Sequence, residues 1–213
     1  MFEFDLINRL KLIKRLYDKK AFIRFKTGLA YLSVSRKLFV SDGLGDPYSL
    51  NAFELRDDVT ITCPLFVARM VELIPPYTHR KNNKVLEIGT GTGFQTAILA
   101  KIGYEVTTIE RLKWLFELSQ NNLAKSKIKN VKQYCQDGSK GCKNNGPYTG
   151  IIMGCAVPEV PYFLIDQLEI GGKLIAPIGI KDAIQTLTVY SKTEKGFDTQ
   201  KIRAAWFVPL ITD

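Results

Sequence analysis

The chain has 213 residues, 46% of them hydrophobic and 24% charged, a composition close to that of soluble globular domains. It excludes a disordered tail, a collagen-like repeat and a coiled coil, and no apolar run reaches the roughly 18 residues that span a membrane. The formal net charge of +9 is concentrated at one end, where residues 1–37 hold ten Lys and Arg against Glu3, Asp5 and Asp18.

That first segment begins MFEFDLINRLKLIKRL. It has no unbroken apolar stretch and no small-residue cleavage site, so no signal peptide is expected and the expected compartment is the cytoplasm. Apolar spacing predicts helices over 3–17 and 19–32, the first turning Phe4, Ile7, Leu10, Ile13 and Tyr17 inward and its cations outward. The basic face admits a nucleic-acid footprint as well as a solvated one. Residues 41–58 are rich in turn formers and read as a surface stretch. Pro64 suits the first turn of a helix over LFVARMVELI, and PPYTHRKNN reads as a linker. Its His79 is the only histidine in the chain, so a histidine triad or zinc site is a poor expectation. Cys63, Cys135, Cys142 and Cys155 form no CxxC pair, and no disulfide framework or metal site is expected.

From Lys84 the chain alternates. VLEIG, EVTTIE, VKQYC, TGIIMG, KLIAPIG, QTLTVYSK and KIRAAWFVPL read as seven strands. FQTAILAKIG, RLKWLFELSQNNLAK and VPYFLIDQLEIGG read as helices between the first five, and TEKGFD as a turn joining the last two into an antiparallel pair. This pattern predicts a doubly wound, mostly parallel seven-stranded α/β sheet of Rossmann-like class, with an N-terminal helical addition.

The strongest chemical signal is VLEIGTGTGFQTAILA. A strand ends near Glu87, and Gly89, Thr90, Gly91 and Gly93 make a turn into a helix, where glycines let backbone approach a ligand closely. The glycines alternate, unlike the G-x-G-x-x-G of dinucleotide sites; counting from Gly91 puts Thr96 where the last small residue would be. A carboxylate at Glu87 disfavours a pyrophosphate and suits a cationic amino-acid moiety, as in S-adenosylmethionine. The next strand ends at Glu110, followed by Arg111, where a carboxylate accepts from ribose hydroxyls. The third strand leads to Asp137 and Gly138, where Asp137 is placed to accept from an adenine amino group. Three acids at three successive strand ends lie on the carboxyl edge, where open α/β sheets bind ligands.

These features, with others outside the glycine turn, resemble the protein-L-isoaspartate O-methyltransferase family. VSRKLFV (34–40) is similar to its VPRxxFV, TITCP (60–64) to its TIS-x-P, and AAWFVPL (204–210) to its VxFVPL ending. GPYTGIIMGCAVPEVPYFLIDQLEIGGKLIAPIG (146–179) follows the family pattern nearly throughout. The resemblance runs from about residue 21 to 211, and its pieces beyond the cofactor motif set it apart from methyltransferases in general. It implies methyl transfer to the free α-carboxylate of L-isoaspartyl residues in damaged proteins and peptides, which then close to a succinimide. It implies a methyltransferase domain over 59–213, with 1–58 packed on it in one compact, monomeric unit without a stable nucleic-acid partner or membrane attachment. Thr60, Ile61 and Thr62 are expected to border the substrate, Thr62 contacting its carboxylate, and Val208 and Pro209 to help hold its backbone. The chemistry suits the composition, because a carboxylate with a pKa of roughly 3.5 is already ionised and needs no general base.

The chain departs from the family pattern at Thr62, where the family has Ser, and at Gly154-Cys155-Ala156, where it has small residues. Pro75-Pro76-Tyr77 is similar to the amino-holding motif of N-methyltransferases, but it follows a helix and precedes the glycine turn, so it reads as a helix stop. Methyl transfer to RNA or a small molecule stands as the alternative, supported by the basic segment. Finally, Asn145-Gly146 is a dipeptide prone to succinimide formation, and the aged chain is expected to gain isoaspartate there.

Overall fold

A computed structural model describes residues 2–56, 59–76 and 83–212. Most of the 75–83 linker, with Tyr77 and His79, lies outside them. Helices α1 (Phe2–Asp18) and α2 (Phe25–Ser33) lead to a short antiparallel pair, β1 (Phe53–Glu54) with β2 (Thr60–Ile61), and then to α3 (Pro64–Leu73). The alternating part follows: β3 (Lys84–Ile88), α4 (Phe94–Ile102), β4 (Glu105–Glu110), α5 (Lys113–Lys125), β5 (Val131–Cys135) and β6 (Tyr148–Met153). After α6 (Tyr162–Asp166) come β7 (Leu168–Ile178), β8 (Gln185–Thr193) and β9 (Gly196–Ala205).

The large sheet has seven strands in the order β5-β4-β3-β6-β7-β8-β9. The first five of these are mutually parallel, and β8 and β9 run antiparallel as a meander. The direction of winding reverses between β3 and β6, so a crevice opens at the carboxyl ends of those strands. Alternation along the strands splits the core. Val85, Val106, Ile152 and Ile175 face a cluster supplied by α1 to α5, while Leu86, Ile88, Ile151 and Leu174 face the side of α6.

Four expectations change. On α1 the buried face is not Phe4, Ile7, Leu10, Ile13 and Tyr17. Leu12 and Leu16 are buried, Ile13 lies at the edge, and the other four are largely exposed. The helix is rotated because Asp5 and Arg9 turn inward as an ion pair (3.1 Å), with Arg9 donating to the Leu32 carbonyl and Tyr48 to Asp5. Second, α2 begins at Phe25 rather than 19. Lys20, at φ 51, reverses the chain, and the apolar Ala21 and Phe22 are buried in that turn instead of on a helix.

Third, the expected helix over 160–172 stops at Asp166. Gln167 donates to the Lys140 carbonyl and accepts from the Cys142 N–H, and Leu168 pairs with Tyr148. Gly172 sits where a Cβ would meet two backbone oxygens at 2.9 Å, so the paired glycines serve a strand irregularity beside Tyr148 and not a helix end. Fourth, the final strand ends at Ala205. The hairpin turn shrinks to Glu194 and Lys195, and residues 208–210 leave the sheet to bridge Ala156. Among the described residues of the 41–58 stretch, Tyr48 and Phe53 are buried, Phe53 clustering with Val40 and Ile61.

Candidate active site

The turn after β3 is held on its β4 side. Gly89 and Thr90 N–H groups donate to the Ile109 carbonyl (2.9 and 3.3 Å), and Thr90 and Thr108 hydroxyls meet at 2.6 Å. Gly89 and Gly91 have φ of 84° and 58°, the left-handed region that glycine enters without cost. A Cβ on Gly91 would meet nothing within 4 Å, so that backbone faces open space. Gly93 closes the turn as the N-cap of α4, packed against Leu123 rather than facing the crevice.

Glu110 ends β4 with its carboxylate under this turn, accepting from Gly91 N–H (2.9 Å) and Leu112 N–H (3.0 Å). Burial raises its pKa. A carboxylate has about four acceptor positions, so capacity toward the crevice remains. Glu87 behaves differently. The period of two along β3 sends it to the α4 side with Val85, where it is fully buried. Thr96, Thr108 (2.7 Å) and Gln95 (3.0 Å) all donate to it. Desolvation pushes its carboxyl up to about 7 against those three bonds. Glu87 therefore clamps the first turn of α4 to β4 and does not reach the crevice, contrary to the expectation of cofactor contact. Asp137 is not among the residues lining the crevice. Its carboxylate accepts from Ser139 N–H (2.8 Å) and hydroxyl (2.7 Å), while the neighbouring Gly138 lines the crevice.

The crevice is lined by Gly89, Gly91, Glu110 and Arg111 on one side and by Val208, Pro209 and Leu210 on the other, with Ile109, Leu112 and Leu115 as apolar wall. Thr60 opens from it into an adjoining pocket with Ile61, Thr62, Thr90 and Gln95; the two spaces share Thr60, Gly89, Gly91 and Gly154. The structure thus gathers Thr60–Thr62, Gly89, Thr90, Gly91, Val208 and Pro209 around one opening, and leaves Gly93 out of it. Cys155 also lines it, but burial pushes its thiol up to about 12, which leaves it protonated and inert as a nucleophile.

Arg36 is the residue that sequence reasoning missed. It is fully buried, and its guanidinium lies over the rings of Phe94 and Phe53 (5.0 and 5.9 Å). It donates to the Pro47 carbonyl (2.8 Å) and twice to the Thr62 carbonyl (3.3 and 3.4 Å). Burial lowers its pKa to about 10, so it stays charged at neutral pH and ties the Thr60–Thr62 segment to the Pro47 loop. A cation inside the apolar run VSRKLFV was the available signal.

A glycine turn at the reversal point of a seven-stranded sheet, with an acid at the next strand end, defines a class I S-adenosylmethionine-dependent methyltransferase. The family model for protein-L-isoaspartate (D-aspartate) O-methyltransferase matches residues 8–213. The chain belongs to that family. A protein-L-isoaspartate O-methyltransferase of Methanospirillum hungatei is 40% identical over 187 residues, covering 85% of this chain and 83% of the relative. One from Shewanella denitrificans is 39% identical over 204 residues, covering 95% and 93%. Among solved structures, a protein-L-isoaspartate O-methyltransferase chain matches with a TM-score of 0.83 at 26% identity, over 94% of this chain and 65% of its own. A Plasmodium falciparum chain assigned to the same activity, in complex with S-adenosyl-L-homocysteine, matches with a TM-score of 0.81 at 24% identity, over 95% and 98%. The last likeness shows the fold.

Proposed function

We propose that this opening methylates the free α-carboxylate of L-isoaspartyl residues in proteins and peptides. The observation that carries the reading is the shared opening itself, in which the Thr60–Thr62 edge and the glycine turn meet with no side chain between them at Gly89, Gly91 and Gly154. The residues fit S-adenosylmethionine. Gly91 has open space where a Cβ would stand, Glu110 keeps acceptor capacity for ribose hydroxyls, and Ile109, Leu112 and Leu115 offer an apolar wall to a flat base. When bound, the cofactor supplies a methyl group activated on a sulfonium.

The chain's own work is positional. The incoming carboxylate is ionised at neutral pH and needs no base. The Thr62 hydroxyl, on a segment whose carbonyl Arg36 holds, donates to that carboxylate and sets its direction. Orientation of this kind supplies a large part of the rate in a bimolecular transfer. Residues 1–58 serve as an addition that shapes the substrate side through Arg36.

The protein acts as a cytoplasmic monomer without a nucleic-acid partner. The four cysteines are unpaired, which suits a reducing compartment. No helix among the described residues is long and apolar enough to cross a membrane. A labelled methyl-transfer assay with an isoaspartyl peptide and its aspartyl twin tests the reading. Label is expected on the isoaspartyl peptide alone; equal labelling of both, or of neither, would overturn it.

A further inference from the structure

Beside the crevice, on the same carboxyl edge, lies a larger groove of about 760 Å³. One wall is the C-terminal crossing at Pro209 and Leu210, which also lines the crevice. The others are the segment from Ala156 to Phe163 and the tip after β7 from Gly179 to Lys181. The floor is stitched backbone. Ala156 N–H donates to Val208 and Leu210 N–H to Ala156, both at 2.8 Å, while Val157 N–H donates to Pro177 (3.1 Å) and Gly179 N–H to Val157 (2.9 Å). Three chain segments are thereby locked side by side, and the groove is a built feature of the edge.

Its apolar side chains face water. Tyr162, Phe163 and Ile180 are 64%, 47% and 65% exposed, and Tyr162 is braced on Phe197 with ring centroids 5.7 Å apart. Large apolar side chains gathered around a concavity mark a binding surface. Glu159 and Lys181, one acid and one base, both line it, so the groove selects apolar character and not charge. Continuity decides the occupant. A chain whose reacting carboxylate lies beside Thr62, with its backbone along Val208 and Pro209, reaches the shared Pro209–Leu210 wall, and an extended chain advances about 3.3 Å per residue.

Resting on the isoaspartyl reading above, we propose that the groove is a side-chain subsite for a large apolar residue, such as Leu, Ile, Phe or Tyr, within about three positions of the isoaspartyl residue. Such a residue is ordinarily buried in a folded protein. The groove therefore favours damaged segments that have come loose from their native packing over damage in a polar surface turn.

The test is a set of isoaspartyl peptides in which a single Leu replaces Ser at each flanking position in turn. At one or two positions Leu should lower KM by about 5- to 20-fold, the effect of burying one such side chain, with kcat little changed. Ile180→Ser should remove that advantage while leaving KM for the all-Ser peptide and the affinity for S-adenosylhomocysteine as they were. Ile180→Leu should retain it. A flat KM across the set in the unaltered protein overturns the proposal, as does an Ile180→Ser variant that raises KM for Leu and Ser peptides alike. Failure to methylate any of the peptides is distinguishable from both, because it strikes the isoaspartyl reading itself and the groove assignment with it.

Discussion

At the scale of single residues, Thr62 and Glu87 carry the sharpest consequences. The N-cap of α3 is Cys63, without a side-chain cap bond, so Thr62 stands outside the helix and does not cap it. Thr62→Val keeps the shape and removes the donor. Turnover should fall about 10- to 100-fold, roughly 1.4–3 kcal/mol, with the melting temperature nearly unchanged. Thr62→Ser keeps the donor and should be as active or more so. Steady-state rates with melting curves for both variants check this, and full activity in Thr62→Val would remove the hydroxyl from the mechanism. For Glu87, burial raises the folded-state pKa to about 7, while the unfolded chain releases its proton in the ordinary carboxylate range. Between those limits the folded state binds the extra proton, so stability falls as pH rises and levels off above about 7. Glu87→Gln should flatten this slope in melting temperatures followed from about pH 5 to about pH 8. Glu110 is shifted in the same direction and should leave a residual slope. A variant as pH-dependent as the parent would show that Glu87 is ionised throughout.

At the scale of elements, α1 shows how an apolar count misleads. FEFDLINRLKLIKRLYD carries apolar residues nearly all round, and periodicity alone admits more than one inward face. Asp5 and Arg9 decide it, because their ion pair and its partners Leu32 and Tyr48 lie on the side of Leu12 and Leu16. Truncation should follow burial. Leu16→Ala, at a fully buried position, should cost about 2–5 kcal/mol. Leu10→Ala, half exposed, should stay within about 0.5 kcal/mol. Chemical denaturation of the two variants measures both, and equal losses would mean that the helix packs by the other face. In α6 and β7 a local signal was overridden by pairing. Paired glycines after an apolar helical pattern read as a helix end, yet Leu168 onward joins β6, and the helix stops at Asp166, six residues earlier, with the Gln167 side chain bonded elsewhere.

At the scale of the whole molecule, the fold controls chemistry that a dipeptide invites. Succinimide formation at Asn145 needs the Gly146 nitrogen to attack the Asn145 side-chain carbonyl with loss of ammonia. In the folded chain the Asn145 amide donates to the Tyr134 hydroxyl (2.9 Å), and Gly146 N–H donates to the Lys143 carbonyl (3.1 Å). Both groups are thus held in other bonds. Isoaspartate at position 145 should therefore accumulate in chain aged in denaturant, which then serves as a methyl acceptor for intact enzyme. It should stay near background in folded chain aged for the same time. Peptide mapping of the two samples decides, and equal accumulation would mean that the native loop gives no protection.

The sequence by itself determined the βα alternation, the glycine turn, the acid closing β4 and the antiparallel ending, because each is written in neighbours a few residues apart. It also carried the Thr60–Thr62 and Val208–Pro209 candidates, through resemblance. The tertiary structure decided which carboxylates face the opening. Glu87 and Glu110 both lie at strand ends and both are buried, but Glu87 is enclosed beneath α4 while Glu110 lines the crevice. It decided that Arg36, an ordinary cation in the sequence, is enclosed by Phe53 and Phe94 and holds Thr62 from 26 residues away. It also decided that residues 208–210 leave the sheet and cross to Ala156, making one wall for both crevice and groove. These outcomes rest on contacts between distant segments, whose free energy depends on what surrounds a group and not on the residues beside it in the chain.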